Sequence, residues 1–163
     1  MGKKKAIFLD RDGVINKELG DYVCRFEDFE ILPHNYKTLK ELQDRGYLIL
    51  VATNQGGLAK GWYTEAILKQ MHDHVEADYL KHGITISKFY YCPHHPNFTG
   101  ECDCRKPKPG MLLNGIKDFD LEPSLCYFIG DKYTDVEAAE AAGMTGIKIE
   151  IDQPLSEILH LIK

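Results

Sequence analysis

The sequence predicts an α/β fold, a doubly wound, Rossmann-like parallel sheet, and three observations predict it. Short apolar or aromatic runs at residues 6–9, 47–52, 88–92, 125–129 and 146–151 read as strands, several of them continuous enough to be covered on both faces. Segments with helical spacing separate these runs, and a strand–helix–strand cadence implies a parallel sheet with right-handed crossovers. Three of the runs end in residues able to do chemistry: Asp10 and Asp12, Thr53 and Asn54, and Asp131. Ligands in open sheets of this kind bind beyond the carboxyl ends of the strands, so these side chains are expected along one rim.

The run 6–9 stops abruptly at Asp10-Arg11-Asp12-Gly13, as a buried strand feeding a loop does. Pro33 suits the first turn of a helix, Tyr36, Leu39 and Leu42 then recur at helical spacing, and Gly46 stops it. The strand 47–52 closes in Thr53-Asn54-Gln55-Gly56-Gly57. Thr64 is placed to cap a helix that runs to about His82, before Gly83. After the strand 88–92, residues 93–109 form an irregular stretch rich in His, Cys and Pro, and 110–119 read as a helix. The strand 125–129 ends at Gly130-Asp131, and an alanine-rich helix over 136–142 stops at Gly143. A last strand over 146–151 and a helix over 155–162 complete the pattern. No repeat, linker or low-complexity segment interrupts it, so residues 1–163 are expected to form one domain.

The chain has 163 residues, 44% hydrophobic and 28% charged, which is long enough to bury a core without staples and unlike a disordered composition. No apolar run approaches the roughly 20 residues needed to span a bilayer. After Lys3-Lys4-Lys5 only about five apolar-leaning residues precede Asp10, short of the 7 or so of a signal peptide. A cytoplasmic location and no membrane partner are therefore expected. The net charge of −5, with no basic stripe interleaved with aromatics, gives no sign of a nucleic-acid partner. A monomer acting on a small molecule is the expected state. An anionic substrate would need local positive charge or a bound cation.

Asp10 and Asp12 are two apart at a strand end, so their side chains can point the same way, and Gly13 lets the backbone turn sharply after them. Carboxylates this close repel, which favours a bound cation or a shared proton. Oxygen ligands and phosphate chemistry suit magnesium. An Asp-rich turn capping a strand is the plain alternative for this motif by itself. Thr53 offers a hydroxyl, Asn54 an amide, and Gln55-Gly56-Gly57 backbone N–H groups, donors of the kind that cradle phosphate oxygens, though alone such a segment is usually a turn. Asp131 and Asp135 add two acids, and Arg105, Lys106, Lys108 and Lys132 supply positive charge in an acidic protein. A solvated charge run is the bland reading of 105–108, weakened by Pro107, Pro109 and the cysteines before them.

Cys92-Pro93-His94 and Cys102-Asp103-Cys104 bring three thiols and an imidazole into one loop, about 92–104. Three thiolates and an imidazole make a closed tetrahedral zinc set. Clustered cysteines in a reducing compartment suggest a metal rather than a disulfide, although one-residue intervals are tighter than the usual two. Merely buried cysteines are the alternative. Pro93, Pro96, Asn97, Thr99 and Gly100 mark a loop with little core of its own, and a metal would supply what packing does not. His95 competes with His94 as the fourth ligand, while Cys24 and Cys126 read as ordinary cysteines.

In order, Phe8-Leu9-Asp10-Arg11-Asp12-Gly13, Thr53-Asn54, Arg105-Lys106-Pro107 and Gly130-Asp131-Lys132 resemble the four motifs of the haloacid dehalogenase (HAD) superfamily, across residues 8–135. The resemblance implies a phosphatase in which Asp10 is the nucleophile that becomes an acyl phosphate. It makes Asp12 the acid for the leaving oxygen and then the base for water. It also implies magnesium on Asp10, the Asp12 carbonyl and Asp131, with Thr53 and Lys106 stabilising the transferring phosphoryl group and Asp135 orienting Lys106 or the metal waters. The loop Cys92-Pro93-His94-His95-Pro96, then Cys102 to Pro107, then Pro109-Gly110-Met111-Leu112-Leu113, narrows the resemblance to the D-glycero-D-manno-heptose 1,7-bisphosphate 7-phosphatases. That family implies zinc on Cys92, His94, Cys102 and Cys104, with no cap domain. Only about 40 residues separate Asp12 from Thr53, which agrees with a capless fold.

Substrate contacts implied by the family fall on Thr53, Asn54, Gln55, Gly56, Lys106, Arg105 (the substrate body or a second phosphate) and Lys132 (phosphate). Sugar hydroxyls are expected at Glu18, Gly20 and Asp21, although Gly20-Asp21-Tyr22-Val23 carries one residue more than the family's Gly-Tyr-Val. Histidinol-phosphate phosphatases share the zinc loop and first motif and stand as the second enzyme reading. A polynucleotide 3′-phosphatase shares the first motif but needs a basic track that is missing here. A zinc-stabilised binding module is the non-enzymatic reading, and it would not require the full set of Asp10, Asp12, Thr53, Lys106 and Asp131.

Overall fold

The computed structural model describes residues 2–163. Its sheet has five parallel strands, β1 (Lys5–Leu9), β2 (Tyr47–Asn54), β3 (Ile86–Cys92), β4 (Tyr127–Gly130) and β5 (Thr145–Lys148), in the order β3-β2-β1-β4-β5. The expected parallel sheet is therefore present. β1 is central because Ala6, Ile7, Phe8 and Leu9 have no exposed surface at all. From β1 the chain winds out to one edge through β2 and β3, then crosses back to β4 on the other side. The strand order thus reverses at β1, and the crevice beyond its carboxyl end is where such folds place a site.

Successive strand residues face opposite sides of the sheet, so two apolar layers form. Ile7, Leu9, Ile49, Val51 and Ile129 pack with Leu39 and Leu42 of α1 (Tyr36–Asp44) and with Met71, Val75 and Tyr79 of α2 (Glu65–Lys81). Ala6, Phe8, Leu50, Ala52 and Phe128 pack with Met111 and Leu112 of α3 (Gly110–Phe119) and with Ala138 and Ala139 of α4 (Tyr133–Ala141). Thr64 caps α2 as expected, its hydroxyl accepting from the Ile67 N–H at 3.3 Å. No described helix is long and apolar enough to cross a membrane.

Besides shifts of one or two residues at other strand ends, four differences from the sequence reading have a local reason. α4 begins at Tyr133 rather than 136, because the Asp135 carboxylate accepts from the Lys132 N–H at 3.1 Å and secures the first turn. β4 begins at Tyr127 because Pro123–Leu125 forms a 3-10 turn. β5 ends at Lys148, and Asp152 takes a left-handed φ of 61° as its N–H donates to the Gly13 carbonyl at 2.9 Å. The expected helix over 155–162 is instead two 3-10 turns, Leu155–Glu157 and Leu159–Leu161. Leu155, Ile158 and Ile162 are buried in the core, and in so short a segment packing overrides the tendency to continue an α-helix. A further 3-10 turn at Phe26–Asp28 has no counterpart in the sequence reading.

Asn35 ties this C-terminal segment to the loop after β1. Its amide donates to the Val14 carbonyl at 3.0 Å, its carbonyl accepts from the Leu155 N–H at 2.9 Å, and the residue is 1% exposed. Leaving two buried backbone groups unpaired costs roughly 1–3 kcal/mol each. We expect Asn35→Ala to destabilise the fold by about 2–4 kcal/mol in urea denaturation, and a change below about 0.5 kcal/mol would contradict this account.

Candidate active site

The carboxyl ends of β1, β2 and β4 converge as the sequence predicts. Asp10 follows β1, its N–H donating to the Ile129 carbonyl on β4 at 3.0 Å, and its Oδ1 accepts from the Arg11 N–H at 2.8 Å. Lys106, from the loop before α3, places its Nζ 3.1 Å from Asp10 Oδ1 and 2.7 Å from Asp135 Oδ1, and donates to the Ala52 carbonyl at 3.0 Å. Asn54 fixes the Lys106 backbone from both sides, accepting from its N–H at 3.0 Å and donating to its carbonyl at 3.2 Å. Asp10, Asp131 and Asp135 each bring a carboxylate oxygen to within 4.8 Å of the others. Gly13, at φ +87°, makes this approach possible, since a β-carbon there would lie 2.6 Å from Asp131 Oδ2.

Three buried acids are therefore gathered around one ammonium, which pairs with Asp10 and Asp135 but not with Asp131. Burial pushes the Asp10 carboxyl up to about 8, against the pull of Lys106 and with the help of Asp135, Asp12 and Asp131. Burial, and Asp135 beside it, raise Asp131 as well. Burial disfavours the charge on Lys106, but Asp10 and Asp135 outweigh it and raise its pKa, so the ammonium stays protonated. Both Asp131 oxygens are buried and find no hydrogen-bond partner among the described residues. A negative cluster of carboxylate oxygens with unpartnered lone pairs fits a hard divalent cation.

Asp12 points away from that cluster. Its Oδ1 accepts from Arg11 Nη2 and from Asn16 Nδ2, both at 2.8 Å, and its Oδ2 accepts from Gln55 Nε2 at 3.0 Å. Burial works against the charge, but the Arg11 guanidinium and these donors overcome it and hold Asp12 below the usual carboxylate range. Arg11 has no exposed surface, lying 5.0 Å from the Phe29 ring centroid and 3.3 Å from His72 Nε2. Burial first, and Arg11 second, lower the His72 imidazole to about 3, so it is neutral and accepts from the guanidinium.

A cavity of about 320 Å³ opens beyond these groups. Of the predicted site residues it is lined by Asp10, Asp12, Glu18, Gly20, Asp21, Asn54, Arg105, Lys106 and Lys132, joined by Asp135. Tyr22 and Thr134 also line it without having been singled out from sequence. Tyr22 is the aromatic residue of the loop that carries Asp21, and Thr134 lies between two acids of one motif, so position beside a motif was the available signal. Thr53 and Gln55 lie behind the cavity wall, 1% and 0% exposed, while Gly56 sits where a β-carbon would come 2.9 Å from both Arg105 Nη1 and the Tyr22 hydroxyl.

Cys92, His94, Cys102 and Cys104 form a second cluster, with every ligand atom within 4.8 Å of the rest. Cys92 Sγ lies 3.6 Å from both Cys102 Sγ and His94 Nδ1, His94 Nδ1 lies 3.2 Å from Cys104 Sγ, and the two sulfurs of Cys92 and Cys104 are 2.8 Å apart. With zinc–ligand bonds of about 2.0–2.3 Å, tetrahedral edges of roughly 3.5–3.8 Å follow, so the longer contacts already match such a site. His95 faces elsewhere, its Nδ1 accepting from the Asn97 N–H at 3.2 Å. Burial pushes the Cys102 thiol up, but the Arg105 and Cys104 N–H groups lead the effects that bring it down to about 7, toward the thiolate a metal needs. Arg105 follows the cluster directly, donating to the His94 carbonyl at 3.3 Å and reaching the Tyr22 hydroxyl at 3.5 Å.

Residues 103–151 match a family model described as HAD-hydrolase-like. The chain is 44% identical over 149 residues to the D-glycero-beta-D-manno-heptose-1,7-bisphosphate 7-phosphatase of Haemophilus ducreyi, covering 86% of this chain and 80% of that protein. It is 43% identical over 136 residues to the D-glycero-alpha-D-manno-heptose-1,7-bisphosphate 7-phosphatase of Campylobacter jejuni, covering 83% and 76%. Among solved structures, the D,D-heptose 1,7-bisphosphate phosphatase of B. bronchiseptica, complexed with magnesium and phosphate, superposes with a TM-score of 0.84 at 29% identity, covering 96% of this chain and 86% of that one.

The acid cluster has a pH signature. Asp10 binds its proton more tightly folded, at about 8, than at the ordinary 3.8, so its contribution to stability is lost as pH rises between those values. His72, at about 3 folded against 6.5, acts in the opposite sense only below 6.5. From about pH 6.5 to 7, above which Cys102 (about 7 folded against 9.0) acts in the opposite sense, the metal-free protein should lose melting temperature as pH rises, and saturating magnesium should flatten or reverse the slope. A metal-free melting temperature that climbs across this window, with no response to magnesium, would contradict the cluster's charge balance.

Proposed function

The chain belongs to the heptose-1,7-bisphosphate 7-phosphatase family of the HAD superfamily, and we propose that it hydrolyses the 7-phosphate of D-glycero-D-manno-heptose 1,7-bisphosphate through an aspartyl phosphate on Asp10. The observation that carries this reading is the convergence of Asp10, Lys106 and Asp135, which line the cavity, with Asp131 beside them.

Asp10 Oδ1 is held by the Arg11 N–H and Lys106, which leaves Oδ2 to attack phosphorus. A new bond forms between Asp10 and phosphorus as the bond to the sugar oxygen breaks, and that oxygen takes a proton from Asp12. Asp12 is ionised while three donors face it, and the negative charge of an arriving phosphate favours the protonated form it needs for this step. Water then attacks phosphorus, Asp12 takes the water's proton, and inorganic phosphate leaves with Asp10 restored. Lys106 meets the developing charge as an ammonium, and Thr53, 1% exposed behind the cavity wall with its Oγ1 accepting from Gln55 at 3.0 Å, backs the phosphoryl site. Asp10, Asp131 and the Asp12 carbonyl would hold magnesium, whose charge would favour the ionised Asp10 carboxylate, its proton passing to solvent, and would neutralise the acid cluster and the phosphoryl oxygens.

Zinc on Cys92, His94, Cys102 and Cys104 has no open position and would be structural, pinning the segment that carries Arg105 and Lys106. Between β1 and β2 lie only a loop over 10–35 with one 3-10 turn and α1, and between β2 and β3 only a loop over 55–64 and α2, which supports a capless enzyme whose selectivity comes from Glu18, Gly20, Asp21, Tyr22, Arg105 and Lys132. We take it to act in the cytoplasm as a monomer. The relatives named for heptose bisphosphate favour that substrate over histidinol phosphate, which serves as the control.

Asp10→Asn should lower phosphate release from heptose bisphosphate by about a thousandfold or more while the protein still melts in one cooperative transition. Turnover within tenfold of the parent protein would remove Asp10 as nucleophile. Protein purified without chelator should carry close to one zinc per chain by atomic emission, and Cys104→Ser should lose it. Zinc-free parent protein would remove the structural site.

A further inference from the structure

The geometry points to Tyr63 as a positioning residue for Asp12, acting through the Gln55 side-chain amide. Gln55 has no exposed surface and cannot itself reach a substrate. Each of its polar atoms is committed: Nε2 donates to Asp12 Oδ2 and to Thr53 Oγ1, both at 3.0 Å, and Oε1 accepts from the Tyr63 hydroxyl. Two chemically active side chains, from different strand ends, are thus held by one amide group.

An amide can point either way, and only one way serves here. Turned over, it would set its carbonyl against the Asp12 carboxylate, acceptor against acceptor, and would leave two acceptors facing each other in a dry site. The Asp12 carboxylate, which only accepts, sets the working orientation, and the Tyr63 hydroxyl holds the amide in it by donating to Oε1. Burial pushes the phenol pKa up, so the hydroxyl keeps the proton it donates. Tyr63 is 5% exposed, and a β-carbon at Gly57 would overlap its ring, so the backbone is bare where the ring has to lie. On its outer side the ring meets that of Tyr22, at the cavity wall, with centroids 6.4 Å apart.

This inference rests on the reading of Asp12 as acid and base, and its test separates the two. Proton donation by Asp12 matters for a sugar leaving group and little for an acidic phenol, so a residue that acts through Asp12 should show the same selectivity. Values of kcat/KM would be compared for heptose 1,7-bisphosphate and p-nitrophenyl phosphate. Tyr63→Phe should cost about fivefold on the sugar phosphate, the worth of one hydrogen bond, and less than about twofold on the aryl phosphate. In a Gln55→Leu background the same change should cost nothing more, because its only route is gone. Equal losses on both substrates, no loss on the sugar phosphate, or an undiminished loss in the Gln55→Leu background would overturn the assignment. Asp12→Asn, run beside them, reports on the parent reading: if it too fails to discriminate between the substrates, the fault lies with the role of Asp12. Melting curves confirm that each variant is folded, and the Tyr63→Phe comparison alone decides if Gln55→Leu is not.

Discussion

A single ammonium set among three buried carboxylates is the constraint around which this molecule is arranged. Lys106 bridges Asp10 and Asp135, yet Asp131 stands beside them with both oxygens unpaired among the described residues. Burying uncompensated charge is costly, and a fold accepts it where a ligand supplies the balance. The parallel sheet makes the arrangement possible by ending β1 and β4 side by side, with Gly13 bare where Asp131 must approach. The apolar layers on either face hold those strand ends in register.

Around that core, donors are placed one level further out. Asn54, at the cavity wall, grips both backbone groups of Lys106 with its amide. Gln55 grips Asp12 and Thr53, and Arg11, itself buried, grips Asp12 from the other side. The Cys/His cluster sits immediately before Arg105, so anything that fixes those four side chains also fixes the start of the segment carrying Lys106. Rigid support of this kind is what lets a site on loops keep the sub-ångström geometry that phosphoryl transfer demands.

Much of this was legible in the residues. Continuous apolar runs announced the strands, and their polar ends announced the rim, because in a parallel sheet those ends must lie together. The Cys/His loop does gather four potential ligands in one place, although its one-residue intervals are tighter than usual and the choice of His94 over His95 came from the family resemblance. What stayed hidden depended on tertiary context. Asp135 starts α4 early because its side chain meets the Lys132 N–H, and residues 155–162 break into 3-10 turns because Leu155, Ile158 and Ile162 must all reach the core. The inward turn of Gln55 was also hidden, since Thr-Asn-Gln-Gly reads as exposed donors until Tyr63, eight residues on, is seen to occupy the amide carbonyl.

The most direct measurement is a crystal structure with magnesium and beryllium trifluoride, a mimic of the phosphoryl group. The account predicts beryllium bonded to Asp10 Oδ2, with one magnesium about 2.0–2.1 Å from oxygens of Asp10 and Asp131. Beryllium trifluoride on any other group, or a magnesium ion that leaves Asp131 unligated, would contradict it.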